Sequence, residues 1–178
     1  AGVAFVYSGR TGHLLGVVDG NGDEPAWWGS LDEPNSKDAV TRSWDHFRFG
    51  TPVSIVPDMD GDGRADVLVG ELGRIHAFSP ARRKRILTID TTGPDGTYGA
   101  SKVWIAGPAG DVNGDGVGDI FGTGIDVWFS TFDGTTGELI HTWDWRGGYM
   151  HAEGISAGAV GDLDGDGFDD VMVGANEQ

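Results

Sequence analysis

Three stretches of the chain concentrate carboxylates at a spacing that suits a cation. DMDGDGRADVLVG begins at Asp58, DVNGDGVGDIFG at Asp111 and DLDGDGFDDVMVG at Asp162, aligned without gaps and 53 then 51 residues apart. Each places Asp or Asn at loop positions 1, 3, 5 and 9, with Gly at positions 4 and 6. Those twelve positions hold eleven of the 28 acids, and Asn113 is the twelfth. Alternate carboxylates turned inward from a tight loop offer hard oxygen ligands. A main-chain carbonyl at position 7 can add another, and the glycines allow the positive-φ bends that wrap a loop around an ion. The candidate ligands are Asp58, Asp60, Asp62, Arg64 and Asp66; Asp111, Asn113, Asp115, Val117 and Asp119; and Asp162, Asp164, Asp166, Phe168 and Asp170. Arg64, Val117 and Phe168 would serve through their backbone oxygens. A flexible all-oxygen cage suits Ca²⁺ better than Mg²⁺, so three calcium sites are expected. No His or Cys lies in these loops to hold a softer metal.

The elements that must carry the loops are strands. The first six positions resemble an EF-hand, but an EF-hand needs Glu at position 12 and flanking helices. Here position 12 is Val69, Gly122 or Val173. The flanks are β-prone: Val53-Ser54-Ile55-Val56 before the first loop and Val67-Leu68-Val69 after it. Plain Asp-Gly hairpin turns with solvated acids are the bland alternative, and three copies at near-equal spacing count against it. A second element also recurs. Phe5 to Leu15 matches Phe129 to Ile140, and more loosely His76 to Leu87, each reading as strand, polar turn, strand. A full unit is then four antiparallel strands in about 50–60 residues, the size of a propeller blade.

The calcium loops followed by Val-x-Val-Gly, with the Ser-Gly-x-Thr-Gly-x-Leu-Leu hairpin, resemble the FG-GAP/VCBS repeats of integrin-α-like calcium-binding β-propellers. The resemblance covers residues 1–18 and 51–178. It implies calcium loops between the first two strands of each blade, on one face of a ring, with other ligands docking elsewhere on it. The stretch 19–50 has no counterpart in the pattern. The expected fold is all-β: a β-propeller of four-stranded antiparallel blades, three blade equivalents in one unit spanning 1–178. Residues 1–18 form the outer hairpin of a split blade, 19–50 a long insertion loop, 51–90 and 103–145 two blades, and 155–178 the inner strands of the split blade. Three blades fall below the usual four to eight or so. The open edges should therefore pair with a second copy, head to tail in a six-bladed homodimer, or with the remaining blades of a longer propeller.

Composition narrows the function classes. The chain has 178 residues, a net charge of −16 and a sequence pI near 4.3, which excludes a nucleic-acid or anionic-membrane surface. The absence of Cys excludes disulfides and thiol chemistry. There is no apolar run of membrane-spanning length. Seven Trp, eight Phe and three Tyr exclude the disorder that acidity and 32 Gly would otherwise invite. The start at Ala1 reads as a removed export signal or a fragment, and an extracellular, secreted, periplasmic or cell-surface location is expected.

Other residues are weaker candidates. Asp19-Gly20-Asn21-Gly22-Asp23 looks like half a calcium loop, but its position 9 is Trp27, and a turn is the better reading. Trp27, Trp28 and Trp44 could form a stacking surface for a carbohydrate or protein ligand, or seal a joint between blades. Trp143 and Trp145 alternate with Asp144 and read as blade-to-blade packing. Gly154-Ile155-Ser156-Ala157-Gly158 matches a nucleophile elbow, yet it leads into a strand where the elbow needs a helix. Arg82-Arg83-Lys84-Arg85 reads as a solvated hairpin tip, able to make a local salt contact. Arg146, Tyr149, His151 and Glu153 form a loose group with no nameable catalytic partner. The expected function is a non-enzymatic, calcium-stabilised module for binding, adhesion or assembly. The alternatives are a propeller of a polysaccharide-active enzyme and a structural subunit of a larger complex.

Overall fold

In the computed structural model of the protein, the described residues are 3–19, 26–28, 49–71, 73–92, 103–124, 128–144 and 155–175. All their regular structure is strand, paired antiparallel in four sheets, with no helix among them. The first sheet holds β1 (Val3–Tyr7), β2 (Leu14–Asp19) and β3 (Ala26–Trp28) in that order. The second runs β4 (Val53–Val56), β5 (Asp66–Glu71), β6 (Arg74–Ser79) and β7 (Lys84–Asp90). The third runs β8 (Val103–Gly110), β9 (Asp119–Gly124), β10 (Trp128–Phe132) and β11 (Leu139–Asp144). The fourth is the pair β12 (Ile155–Gly161) and β13 (Asp170–Ala175).

Alternation along the strands explains how the sheets stack. On β5, Leu68 faces the third sheet while Val67 and Val69 face the first, so both faces of the second sheet are apolar. Ala4 and Val18 of the first sheet meet Val69 and Phe78 of the second, with Phe49 wedged beside them. Val56, Leu68, Ile75, Ala77 and Ile89 meet Val103, Ala106, Ile120 and Phe132 of the third. Ala109, Phe121 and Phe129 in turn receive Ala157, Val171 and Val173 of the fourth. The core is thus three apolar seams between four sheets stacked in chain order.

The outer hairpins repeat in detail. Ser8 N–H donates to His13 O and Gly12 N–H to Ser8 O, both at 2.8 Å; Asp133 and Gly137 make the same pair of bonds in the third sheet. Gly12 and Gly137 close these turns at φ of 71° and 76°, values that suit glycine. A bulge falls at the same point each time, between Val6 and Tyr7, Ala77 and Phe78, and Thr131 and Phe132.

One expectation is corrected. The stretch 19–50 is not all insertion loop, because β3 lies within it and pairs with β2 through Val17↔Trp28, Val18↔Trp27 and Asp19↔Ala26. Two adjacent Trp in an extended backbone suit a sheet position, and this third strand shields the edge that β2 would otherwise present. The half-loop motif at 19–23 lies at the connection between these strands, and residues 20–25 fall outside the described residues. No closed sheet forms among the described residues, and β1 and β13 are edge strands of different sheets.

Candidate metal sites

Each acidic loop joins the first two strands of its unit: 58–66 links β4 to β5, 111–119 links β8 to β9, and 162–170 links β12 to β13. Their wiring is the same. Asp58 Oδ1 accepts the N–H of Gly61 (2.7 Å) and Asp62 (3.1 Å), and its Oδ2 accepts that of Gly63 (2.6 Å). Asp111 takes Gly114, Asp115 and Gly116 in this way, and Asp162 takes Gly165, Asp166 and Gly167. The two glycines of every loop have φ between 75° and 94°, the conformation that turns their N–H groups onto the first Asp. At the far end, Asp66, Asp119 and Asp170 each accept the N–H of position 2, at 2.8 to 2.9 Å. Position 1 shapes the turn and position 9 closes it.

The remaining carboxylates converge. Oxygens of Asp58, Asp60 and Asp62 lie within 4.8 Å of one another, as do those of Asp162, Asp164 and Asp166. Asp60 Oδ1 and Asp66 Oδ1 are buried without a hydrogen-bond partner. A buried anionic oxygen left in that state is costly unless a cation meets it. Burial pushes the Asp66 carboxyl up to about 6, and the charges of Asp60, Asp62 and Asp58 add to the rise. Burial likewise raises Asp119, with Asp115 and Asp133 adding to it. Asp58 shifts the other way, because the Gly63 N–H, with those of Gly61 and Asp62, outweighs desolvation. These donors are all oxygen, three or four of them carboxylates in each loop, and they fit a hard divalent cation.

Each loop has different neighbours. Ser79 Oγ donates to Asp62 at 3.1 Å, and Arg82 pairs with Asp60 at 3.2 Å. The basic tip is therefore not wholly solvated. The second loop carries Asn113 in place of the acid, and its Nδ2 donates to Asp133 at 2.9 Å. Asp133 itself is burdened by desolvation but held below the usual carboxylate range by the N–H groups of Thr136 and Thr135. In the third loop Asp169, at position 8, accepts the N–H of Asp111 and donates its own N–H to Asp111 O, both at 2.9 Å. Ser79, Arg82, Asp133 and Asp169 were not singled out as site residues by the sequence. The hairpin repeat aligns Ser79 with Asp133, a signal that could have found that pair; position 8 is Ala65 or Gly118 elsewhere, so nothing pointed to Asp169.

The family model of the FG-GAP repeat matches residues 155–178. The chain carries an FG-GAP repeat. Neither a curated protein nor a solved structure matches it. Within the FG-GAP repeat, the hydrogen bonds that shape loop 162–170 are those of the loops at 58–66 and 111–119.

The other candidates resolve differently. Ser156 lies inside β12, paired with Gly174 in an FG-GAP sheet rather than at a strand-to-helix elbow. Trp27 and Trp28 belong to β3, and Trp44, Trp145, Arg146, Tyr149, His151 and Glu153 lie outside the described residues. Trp143 packs on Phe129 of its own sheet at 5.4 Å and on His141 at 5.5 Å, with its outer side exposed. His76 is buried, bonded to Thr88 Oγ1 at 3.0 Å and facing Glu71 at 3.1 Å, a structural brace under Phe78.

Proposed function

We propose that the protein is a calcium-stabilised β-propeller module that acts outside the cytoplasm in binding, adhesion or assembly and performs no catalysis. The observation that carries this reading is the threefold recurrence of one hydrogen-bonded acidic loop between the first two strands of successive stacked sheets. FG-GAP repeats occur in adhesion-type β-propeller proteins, and the match at 155–178 supports placing the chain with them. No helix of the described residues is long and apolar enough to cross a membrane.

Asp60, Asp62 and Asp66 would hold the ion in the first loop, with Asp58 and the Arg64 carbonyl; Asp111, Asn113, Asp115, Val117 and Asp119 would do so in the second, and Asp162, Asp164, Asp166, Phe168 and Asp170 in the third. A calcium ion supplies the positive charge that these convergent carboxylates lack. The chain's own part is to hold the oxygens together while the glycine N–H groups keep the loop shape. Because the folded loop binds and the unfolded chain scarcely does, each site at 100-fold saturation adds about 2.7 kcal/mol of stability.

Calorimetric titration should find three calcium equivalents per chain, and EDTA should lower the melting temperature by well over 5 °C. A melt unchanged by EDTA, with no binding heat, would overturn the reading.

A further inference from the structure

Among the described residues, several that occupy the same place in successive sheets differ sharply in exposure, and these differences fall at the two ends of the stack. At loop position 11, Leu68 and Phe121 are 1% and 3% exposed beneath the following sheet, whereas Met172 is 65% exposed. Just before the hairpin turn, Phe78 and Phe132 are buried, whereas Tyr7 is 57% exposed. On the fourth strand, Ile89 is buried opposite Ile75, whereas Trp143, opposite Phe129, is 40% exposed. Five residues before the loop, Ala106 is buried and Ala157 packs on the third sheet, whereas Val53 is 59% exposed. Every exposed member is apolar or aromatic and sits where its counterparts form a seam.

These positions outline two notches of opposite kind. Before the second sheet, the outer hairpin β1–β2 is in place and no inner pair lies beside it among the described residues, so Val53 and Ile55 are exposed next to the edge strand β1. After the third sheet, the inner pair β12–β13 is in place and no outer hairpin lies beside it among the described residues, so the outer side of Trp143 is exposed next to the edge strand β13. What the first notch lacks is an inner pair with an apolar outer face, which β12–β13 presents through Met172. What the second lacks is a hairpin with aromatics on its free face, which β1–β2 presents through Phe5 and Tyr7, stacked at 6.3 Å.

We propose that a second copy of this chain fills both notches, β13 of each protomer pairing with β1 of the other, so that two chains close one ring of six sheets. This deepens the propeller reading and rests on it. The contact is head to tail, and two of them related by a twofold axis close. Six sheets lie inside the usual range of about four to eight, whereas three do not. The seam is the one the chain already builds in full between its two four-stranded sheets, the second and third.

The internal sheets also set the register of the new pairing. Val67↔Phe78 and Leu68↔Ala77 in the second sheet coincide with Ile120↔Phe132 and Phe121↔Thr131 in the third. The shared bulge site fixes the matching positions on β1. Carried over, they give Val171↔Tyr7 and Met172↔Val6 across the interface. Residues opposite one another in an antiparallel pair have Cα atoms about 4.5–5.5 Å apart, within disulfide reach.

The test uses the calcium-loaded chain. Light scattering or native mass spectrometry should give twice 18.8 kDa. Because the chain has no Cys, mixing Val6→Cys and Met172→Cys chains under mild oxidation should link one of each, whereas either variant alone should not link through this pair. Ile55→Asp should shift the mass to a single chain while the strand circular dichroism is kept. A single-chain mass across the concentration range overturns the proposal, as does an open-ended polymer. So does a Val6→Cys/Met172→Cys double variant that links within one chain. A single-chain mass with calcium uptake intact removes the assembly alone, whereas a chain with no calcium response removes the reading beneath it.

Discussion

Loop 58–66 lies half-buried against the β6–β7 turn, where Ser79 and Arg82 reach its carboxylates. Loop 162–170 repeats the bonds to its first and ninth residues and adds one from the Asp166 N–H to Asp164, but its three clustered acids are solvent-exposed, and Asp169 ties it to the backbone of Asp111 in the preceding loop. The same bonds to positions 1 and 9 thus serve two settings. The first loop is steadied by the hairpin of its own sheet, and the third by the loop before it. Local sequence shapes the cage, and neighbouring sheets decide how rigidly it is mounted.

Removing the mount of the third loop should have the largest effect. Asp169→Ala deletes the carboxylate that accepts the Asp111 N–H while sparing every internal bond of the loop. A hydrogen bond to a charged group is worth about 1.5–3 kcal/mol, so denaturant melts should show a loss of that order. Calcium affinity should fall at the second and third loops and hold at the first. Equal weakening of all three would erase the distinction between the mounts.

The glycines sharpen the comparison at the next level. A Cβ at Gly61 or Gly165 meets nothing within 4 Å, whereas at Gly114 it would lie 2.6 Å from the Phe168 ring. All three have φ of 75–82°, so each Gly→Ala substitution should cost about 1–2 kcal/mol from backbone strain alone. Gly114→Ala should lose more, because the second and third loops touch there. Equal melting shifts for Gly114→Ala and Gly61→Ala would show that this contact carries no energy.

The smallest change is expected from Arg82→Gln. The pair with Asp60 involves a partly exposed guanidinium, so stability should move by less than about 1 kcal/mol. Calcium affinity of the first loop should rise slightly, since a competing cation leaves Asp60. A marked fall in that affinity would make Arg82 part of the mount rather than a rival for its charge.

The loops were legible because their chemistry is written locally. Asp at positions 1 and 9, with Gly at 4 and 6, specify the turn wherever they occur, and alternation in Val53-Ser54-Ile55-Val56 announced β4. The hairpin repeat was legible for the same reason. What escaped was written between distant segments. Asp169 matters only because the Asp111 backbone lies beside it, 58 residues away. Asn113 finds Asp133, and Asp60 finds Arg82, only once the sheets are formed. Likewise β3 gains its standing from Val17 and Val18 across the strand gap, not from a pattern of its own three residues. The reading of Trp143 as seam packing depends on what meets its outer side, since Phe129 and His141 of its own sheet cover only the other.

The bare margins of β1 and β13 carry a practical consequence for handling the protein. Like β3 and β7 these two strands lie at sheet edges, but exposed Val53, Ile55 and Trp143 stand close to them. Separating two chains paired in the proposed way would uncover both flanks of each molecule at once. Heated solutions of the unsubstituted chain should then aggregate through these flanks, whereas Ile55→Asp, which sets a charge beside the β1 edge, should hold single chains apart.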